Sequence, residues 1–98
     1  MQRVETPSLA SDYIKLTLKL YNYGKFEKVI NFANEGIKKH PNSALLYNNL
    51  CAAYNKLGDW QKGAEAGKKG LEIDPSNQLL KNNYNWSVKN LSNLNDYE

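Results

Sequence analysis

Apolar residues recur with the period of an α-helix along most of this chain. Between Leu9 and Tyr23 they fall every three or four positions, the spacing that places them on one face of a helix. Further stretches of this kind run from Phe26 to Ile37, from Leu46 to Leu57, from Trp60 to Ile73 and from Leu79 to Leu91. The pattern therefore predicts an all-α fold of about five helices.

Turn residues separate these stretches at regular places. Gly24 and Gly58 follow the first and third stretches, where a residue free to adopt positive φ ends a helix. Pro41 and Pro75 follow the second and fourth, and proline disfavours helix in the residue before it. Asp59 is predicted to cap the fourth helix. The resulting links of about 2–4 residues are those of antiparallel helix hairpins.

The two glycines are separated by 34 residues, and so are the two prolines. A fixed period of this length indicates a repeat architecture, whose commonest role is to present a surface to another protein. Other pairs at the same separation are Ala10 and Ala44, Tyr13 and Tyr47, Leu16 and Leu50, Lys28 and Lys62, and Gly36 and Gly70.

The period also divides the chain. One repeat spans 10–43 and a second spans 44–77. The last stretch copies the opening of the second repeat but has Ser92 in place of the turn glycine. It is therefore predicted to be a lone closing helix over 78–95. Residues 1–8 carry no period, so we expect a flexible tail followed by one domain over 9–95.

Composition narrows the function classes. Apolar residues make up 41% of the chain and charged residues 23%, which is typical of a globular domain. A net charge of +3 with lysines spread along the chain does not predict nucleic-acid binding. The sequence has no apolar run of membrane-spanning length and no apolar signal core near residue 1. We therefore expect a cytoplasmic location and no membrane contact.

Catalytic chemistry finds little support in the residues. The single histidine, His40, lies in a predicted turn without a matched base or metal partner. The single cysteine, Cys51, lies on the apolar face of a helix, where a buried inert thiol is expected. The glycines punctuate helices or lie inside one and do not form a phosphate-binding loop. We expect no enzyme activity, no metal and no cofactor.

Period, turns and apolar spacing together resemble the tetratricopeptide repeat (TPR) family. The first repeat departs from its pattern at Thr17 and Leu20, and Cys51 of the second stands where the family often has glycine. The resemblance implies a helix-hairpin solenoid whose first helices line a concave groove that binds proteins. The matching positions are Tyr13, Leu16 and Pro41 in repeat one and Tyr47, Leu50, Tyr54 and Pro75 in repeat two.

Within such a groove, asparagines are the most suggestive residues. An amide can pair with both N–H and C=O of an extended peptide, similar to the asparagine ladder of O-linked N-acetylglucosamine transferases. The alternative is that these amides are solvated or bind local backbone. We expect an extended peptide or a partner helix as the ligand. The predicted groove residues are Leu18, Tyr21, Asn48, Asn49, Asn55, Asn83 and Trp86.

Co-chaperone members of the family suggest a sharper alternative, the binding of heat-shock protein C-terminal tails. Their clamp holds the terminal carboxylate with lysine, asparagine and arginine side chains. Only Asn49 matches a clamp residue here. The other clamp positions are Ile14, Leu18, Leu79 and Asn83, and none of these supplies the cation that a buried carboxylate needs.

Three glycines of the second repeat share one helix face, at Gly63, Gly67 and Gly70. Each costs about 1 kcal/mol of helix propensity relative to alanine. Several interpretations are open. Tyr84 or Trp86 of the closing helix fills the vacated space, or the flat face serves a partner helix or self-association; otherwise the glycines reflect sequence drift. The chain could also be a scaffold fragment of a longer array, or the targeting module of an enzyme whose catalytic domain lies elsewhere.

Overall fold

The computed structural model of the chain describes residues 7–95, so the predicted tail lies mostly outside the described residues. Within this range the chain forms five α-helices and no strand, which confirms the all-α prediction. Links of three or four residues join consecutive helices into antiparallel hairpins. The helices are α1 (Ala10–Asn22), α2 (Phe26–Lys39), α3 (Ala44–Lys56), α4 (Trp60–Ile73) and α5 (Gln78–Asn95).

The turns form as their residues predict. Gly24 and Gly58 have φ values of 74° and 76°, the left-handed region that glycine enters without strain. Asp59 caps α4, because its carboxylate accepts a hydrogen bond from the Lys62 N–H at 3.3 Å. Each hairpin therefore reverses within a few residues and holds its two helices side by side.

The helices form two layers. In the inner layer α1 contacts α3, and α3 contacts α5. In the outer layer α2 packs against α1 and α3, and α4 packs against α3 and α5, while no Cα atom of α2 lies within 8 Å of one of α4 in the described residues. Because neighbours touch in the inner layer and are apart in the outer one, the surface formed by α1, α3 and α5 is concave.

The core lies between the two layers. Ala33 of α2, Leu50 and Cys51 of α3 and Ala66 of α4 form one buried cluster, since the apolar stripe of each helix faces its hairpin partner. No helix over residues 7–95 is long and apolar enough to cross a membrane.

The glycine face of α4 lies inside the domain. A Cβ added at Gly67 would lie 2.9 Å from Cβ of Tyr84, and one at Gly70 would lie 2.7 Å from Leu80. Both glycines are buried. The closing helix therefore fills this space, through Tyr84 and Leu80, whereas Trp86 remains 53% exposed. The prediction of self-association through the Gly63/Gly67/Gly70 face is corrected, because the three glycines are covered within one chain.

The concave face as a candidate peptide-binding site

A depression of about 360 Å³ lies on the concave face and crosses all three inner helices. It brings together four of the predicted groove residues, from helices that are far apart in sequence. The lining residues are Tyr21 of α1, Ala52, Asn55 and Lys56 of α3, and Asn82, Asn83 and Trp86 of α5.

Leu18 lies in a second depression, of about 440 Å³, along α1. Its other lining residues are Lys15, Lys19, Asn22 and Tyr23. Leu18 and Tyr21 are three positions apart on one helix, so the two depressions border the same helix. Leu18 thus lines a different depression from Tyr21 and Trp86, and contact of all three with one ligand stays a prediction.

Asn49 joins α3 to α1. Its amide donates to the Thr17 hydroxyl at 2.9 Å and lies 3.5 Å from the Ile14 carbonyl. Thr17 in turn donates to the Tyr13 carbonyl at 2.7 Å. Because Asn49 is only 9% exposed, these bonds hold its amide between the two helices.

A further bond extends this network to α5. The Asn83 amide donates to the Asn48 side-chain oxygen at 2.8 Å. The Asn48 amide donates in turn to the side-chain oxygen of Asn49 at 3.3 Å. A continuous chain of polar side chains thus runs across the inner layer. Such a network is stabilising only while every member keeps its partner.

Asn55 is the centre of a second network between α3 and α5. Its amide donates to the Asn83 carbonyl at 3.0 Å, and its oxygen accepts from the Ser87 hydroxyl at 2.6 Å. The Cys51 sulfur lies 3.7 Å from that hydroxyl. Burial raises the pKa of the Cys51 thiol, which therefore stays protonated and inert near neutral pH.

The internal bonds give three of the predicted groove asparagines a structural role. Asn48, Asn49 and Asn55 are each 8–9% exposed, and each has a partner within the domain. Their participation in peptide binding stays a prediction. Sequence reasoning did not identify Thr17 and Ser87 as their partners, although a hydroxyl inside an otherwise apolar helix face was a signal that could have done so.

Aromatic side chains form the two ends of the first depression. Tyr21 packs edge-on against Phe26 at 5.3 Å between ring centroids, which fixes its orientation. Trp86 stands opposite, on α5, with Nζ of Lys89 at 5.9 Å from its ring centroid. A large exposed ring beside a cation is typical of a protein contact point.

Comparison with known proteins identifies relatives of this chain. No protein-family model matches the chain. The "Hsp70-Hsp90 organizing protein" of Triticum aestivum is 31% identical over 75 residues, which is 76% of this chain and 13% of that protein. The "Heat shock protein STI1" of Saccharomyces cerevisiae is 42% identical over 57 residues, 58% of this chain and 10% of that protein.

A third relative carries the repeat in its name. The "Small glutamine-rich tetratricopeptide repeat-containing protein 2" of Mycosarcoma maydis is 35% identical over 69 residues. These make up 70% of this chain and 20% of that protein. The chain therefore spans between about a tenth and a fifth of the relatives it matches.

Fold, period and relatives agree on the class. The molecule is a helix-hairpin repeat domain with a concave inner layer, and such domains bind other proteins. The chain belongs to the tetratricopeptide repeat family, with two repeats followed by a closing helix. It is a protein-binding module of that family.

Proposed function

We propose that this domain is a non-catalytic, co-chaperone-type module that binds the C-terminal tail of a heat-shock protein on its concave face. The observation that carries the proposal is the similarity to relatives named for Hsp70, Hsp90 and heat shock. The first depression supports it, because a segment lying there would touch all three inner helices at once.

The chemistry of the depression suits a polypeptide with negative charge. Lys56 is the cation among its lining residues, and the Asn82 amide and the side-chain oxygen of Asn83 offer hydrogen bonds. Tyr21 and Trp86 offer apolar contact, which usually supplies most of the binding energy. In this arrangement Lys56 takes the role of the charged anchor that the usual clamp positions lack.

A titration tests this proposal. The labelled domain is titrated by NMR with synthetic C-terminal peptides of a cytosolic Hsp70 and Hsp90, and with a scrambled peptide of the same composition. We expect saturable shifts at Tyr21, Lys56 and Trp86 with the tail peptides alone. Shifts confined to α2 and α4, or equal shifts with the scrambled peptide, would contradict the proposal.

Matched variants sharpen the titration. Trp86→Ala removes an exposed ring from the depression, and we expect it to weaken binding at least fivefold, since aromatic anchors dominate such surfaces. Ile73→Ala is the control, because Ile73 is an exposed apolar residue at the end of α4, in the outer layer. Equal affinities of the two variants would show that the depression is not the binding site.

The second candidate is an extended peptide or partner helix that does not end in the groove. The apolar residues at clamp positions favour it: Ile14, Leu18 and Leu79 leave no cluster of cations for a terminal carboxylate. Binding of heat-shock tails with and without C-terminal amidation separates the candidates. A tail whose affinity falls more than tenfold on amidation supports terminal recognition.

A further inference from the structure

The row of hydrogen-bonded side chains that crosses the inner layer ends at a backbone carbonyl, which fixes the direction of its bonds. A carbonyl oxygen can only accept, and the Thr17 hydroxyl donates its one proton to the carbonyl of Tyr13 at 2.7 Å. The Thr17 oxygen is therefore an acceptor toward Asn49, whose NH2 group faces it at 2.9 Å. The Ile14 carbonyl lies 3.5 Å from the same nitrogen and imposes the same orientation.

The orientation of Asn49 determines that of the next two amides. Its oxygen faces Asn48, whose NH2 group donates to it at 3.3 Å. The Asn48 oxygen is thereby turned toward α5, where it accepts from the NH2 group of Asn83 at 2.8 Å. Reversing any one of these amides would bring two oxygens or two NH2 groups together, and a buried polar group without its partner is costly. The side-chain oxygen of Asn83 is therefore the free end of the row.

This free oxygen belongs to the first depression, which Asn83 lines. Within residues 7–95 no side-chain oxygen that is buried lacks a partner, so the unbonded oxygen of Asn83 is open to the depression. The other lining asparagines differ. Asn55 uses both ends of its amide, on the Asn83 carbonyl and the Ser87 hydroxyl. Asn82 is exposed and is bonded to the exposed Gln78, so these two amides can reverse together in solvent.

An acceptor oxygen held in one orientation distinguishes ligands by their hydrogen bonding. It binds an N–H group and disfavours a carboxylate or carbonyl oxygen, since neither has a proton to donate. Lys56 lines the same depression and disfavours a donor that carries positive charge. A neutral N–H group, such as that of a peptide bond, meets both requirements.

We propose that Asn83 selects a neutral N–H group of the ligand, and that Thr17 is a positioning residue that fixes its orientation through Asn49 and Asn48. Thr17 is fully buried and does not line the depression, so it acts without touching the ligand. The inference rests on the proposed function, because it concerns the depression in which the ligand is proposed to lie. It names the chemical group that the ligand presents there.

A carboxyl group introduced at position 83 tests the orientation without any ligand. In Asn83→Asp only the protonated acid can donate to the Asn48 oxygen, which favours the neutral form. We expect its proton affinity to be about tenfold higher than that of the carboxyl group in Asn82→Asp. Lys56 lines the depression beside both positions, so its charge influences both variants. NMR titration of the carboxyl carbons measures the two affinities, and circular dichroism establishes that both variants keep the fold.

Thr17→Val separates the positioning role from burial. Valine has the same branched shape without the hydroxyl, so Asn49 keeps only the Ile14 carbonyl at 3.5 Å and the amides can reverse. We expect Thr17→Val to reduce the difference between Asn83→Asp and Asn82→Asp to less than about threefold, and Thr17→Ser, which keeps a hydroxyl, to preserve it. An unchanged difference in Thr17→Val overturns the positioning role. A lower proton affinity at position 83 than at position 82 overturns the orientation itself.

Small amides test the selection of the ligand group. N-methylacetamide has one neutral N–H, N,N-dimethylacetamide has the same carbonyl without it, and methylammonium has charged N–H groups. We expect the indole resonance of Trp86 to shift about threefold more with N-methylacetamide than with the other two, and we expect Asn83→Ala to abolish this preference. Equal shifts with the three compounds, or the same preference in Asn83→Ala, would overturn the selection by Asn83.

The inference and the proposed function can fail separately. If heat-shock tails bind while position 83 has the lower proton affinity, the proposed function holds and the inference is wrong. If the carboxyl titrations and the small amides give the expected results and heat-shock tails do not bind, the inference holds and the heat-shock partner is wrong.

Discussion

The contact between α1 and α3 and the contact between α3 and α5 are equivalent in the repeat, yet they are held differently. In the first contact the polar link is Asn49 with Thr17 and the Ile14 carbonyl. In the second, Asn83 repeats the role of Asn49 one period later, and the bonds of Asn55 are added.

The added bonds follow from a change of three residues between the two contacts. Tyr21, Val29 and Ala53 at the first contact are replaced, 34 residues later, by Asn55, Gly63 and Ser87 at the second. A Cβ at Gly63 would lie 2.5 Å from the Asn55 side-chain oxygen and 2.9 Å from the Ser87 hydroxyl, so this pair fits because the glycine has no side chain. The same packing of one inner helix on the next is thus stabilised by side-chain volume in the first contact and by hydrogen bonds in the second.

The largest expected effect comes from truncating the buried leucine that occupies equivalent positions in the two contacts. Leu46→Ala and Leu80→Ala change equivalent, fully buried residues, and each is expected to lower the free energy of unfolding by about 2–5 kcal/mol. Urea denaturation followed by circular dichroism measures both. Because Leu80 anchors the last helix, only its variant should accelerate amide hydrogen exchange in α5 selectively. The same exchange pattern in both variants would contradict the view that α5 docks as a unit.

A smaller effect tests the polar network of the second contact. Asn55→Ala leaves the Asn83 carbonyl and the Ser87 hydroxyl without their partner, which costs about 1–3 kcal/mol. Ser87→Ala and the double variant complete a thermodynamic cycle, and we expect a coupling of about 1 kcal/mol. Tyr21→Ala, at the equivalent position of α1, is expected to show no coupling with Ala53→Ser. Strict additivity of Asn55→Ala and Ser87→Ala would show that the pair does not act together.

The smallest effect concerns the close approach of α5 to Gly67 of α4. Gly67→Ala restores the residue found at the equivalent Ala33 and gains about 1 kcal/mol of helix propensity. The new methyl group meets Cβ and Cα of Tyr84 at 2.9 and 3.2 Å, and overpacking of this kind costs about 1–3 kcal/mol. We expect a net loss of about 1 kcal/mol in thermal unfolding.

Lys68→Gly provides the control for Gly67→Ala. Lys68 is exposed on the same helix, so its replacement reports the propensity contribution without any contact. An increase of stability in Gly67→Ala equal to the decrease in Lys68→Gly would mean that α5 moves away without cost and that the close approach is unimportant.

More of the fold than of the candidate site could be predicted from the sequence. The helices, the positive φ of Gly24 and Gly58 and the cap at Asp59 follow from local chemistry and were predicted. For the groove, the helical period predicted that Tyr21 of α1 and Trp86 of α5 both face the concave side, and both line the depression. Period could not separate an asparagine that faces the groove from one that faces the neighbouring helix, since both directions lie within one side of an inner helix.

Sequence by itself determined the repeat, its five helices and the hairpin turns, because these depend on spacing and on residues near one another in the chain. Tertiary structure alone decided which amides are bound internally and which charges share a surface. Tyr21, Lys56 and Trp86 are far apart in the sequence and line one depression only because α1, α3 and α5 lie side by side. The physical reason is that hydrogen bonding and electrostatic complementarity depend on distances across helices, which no local pattern contains.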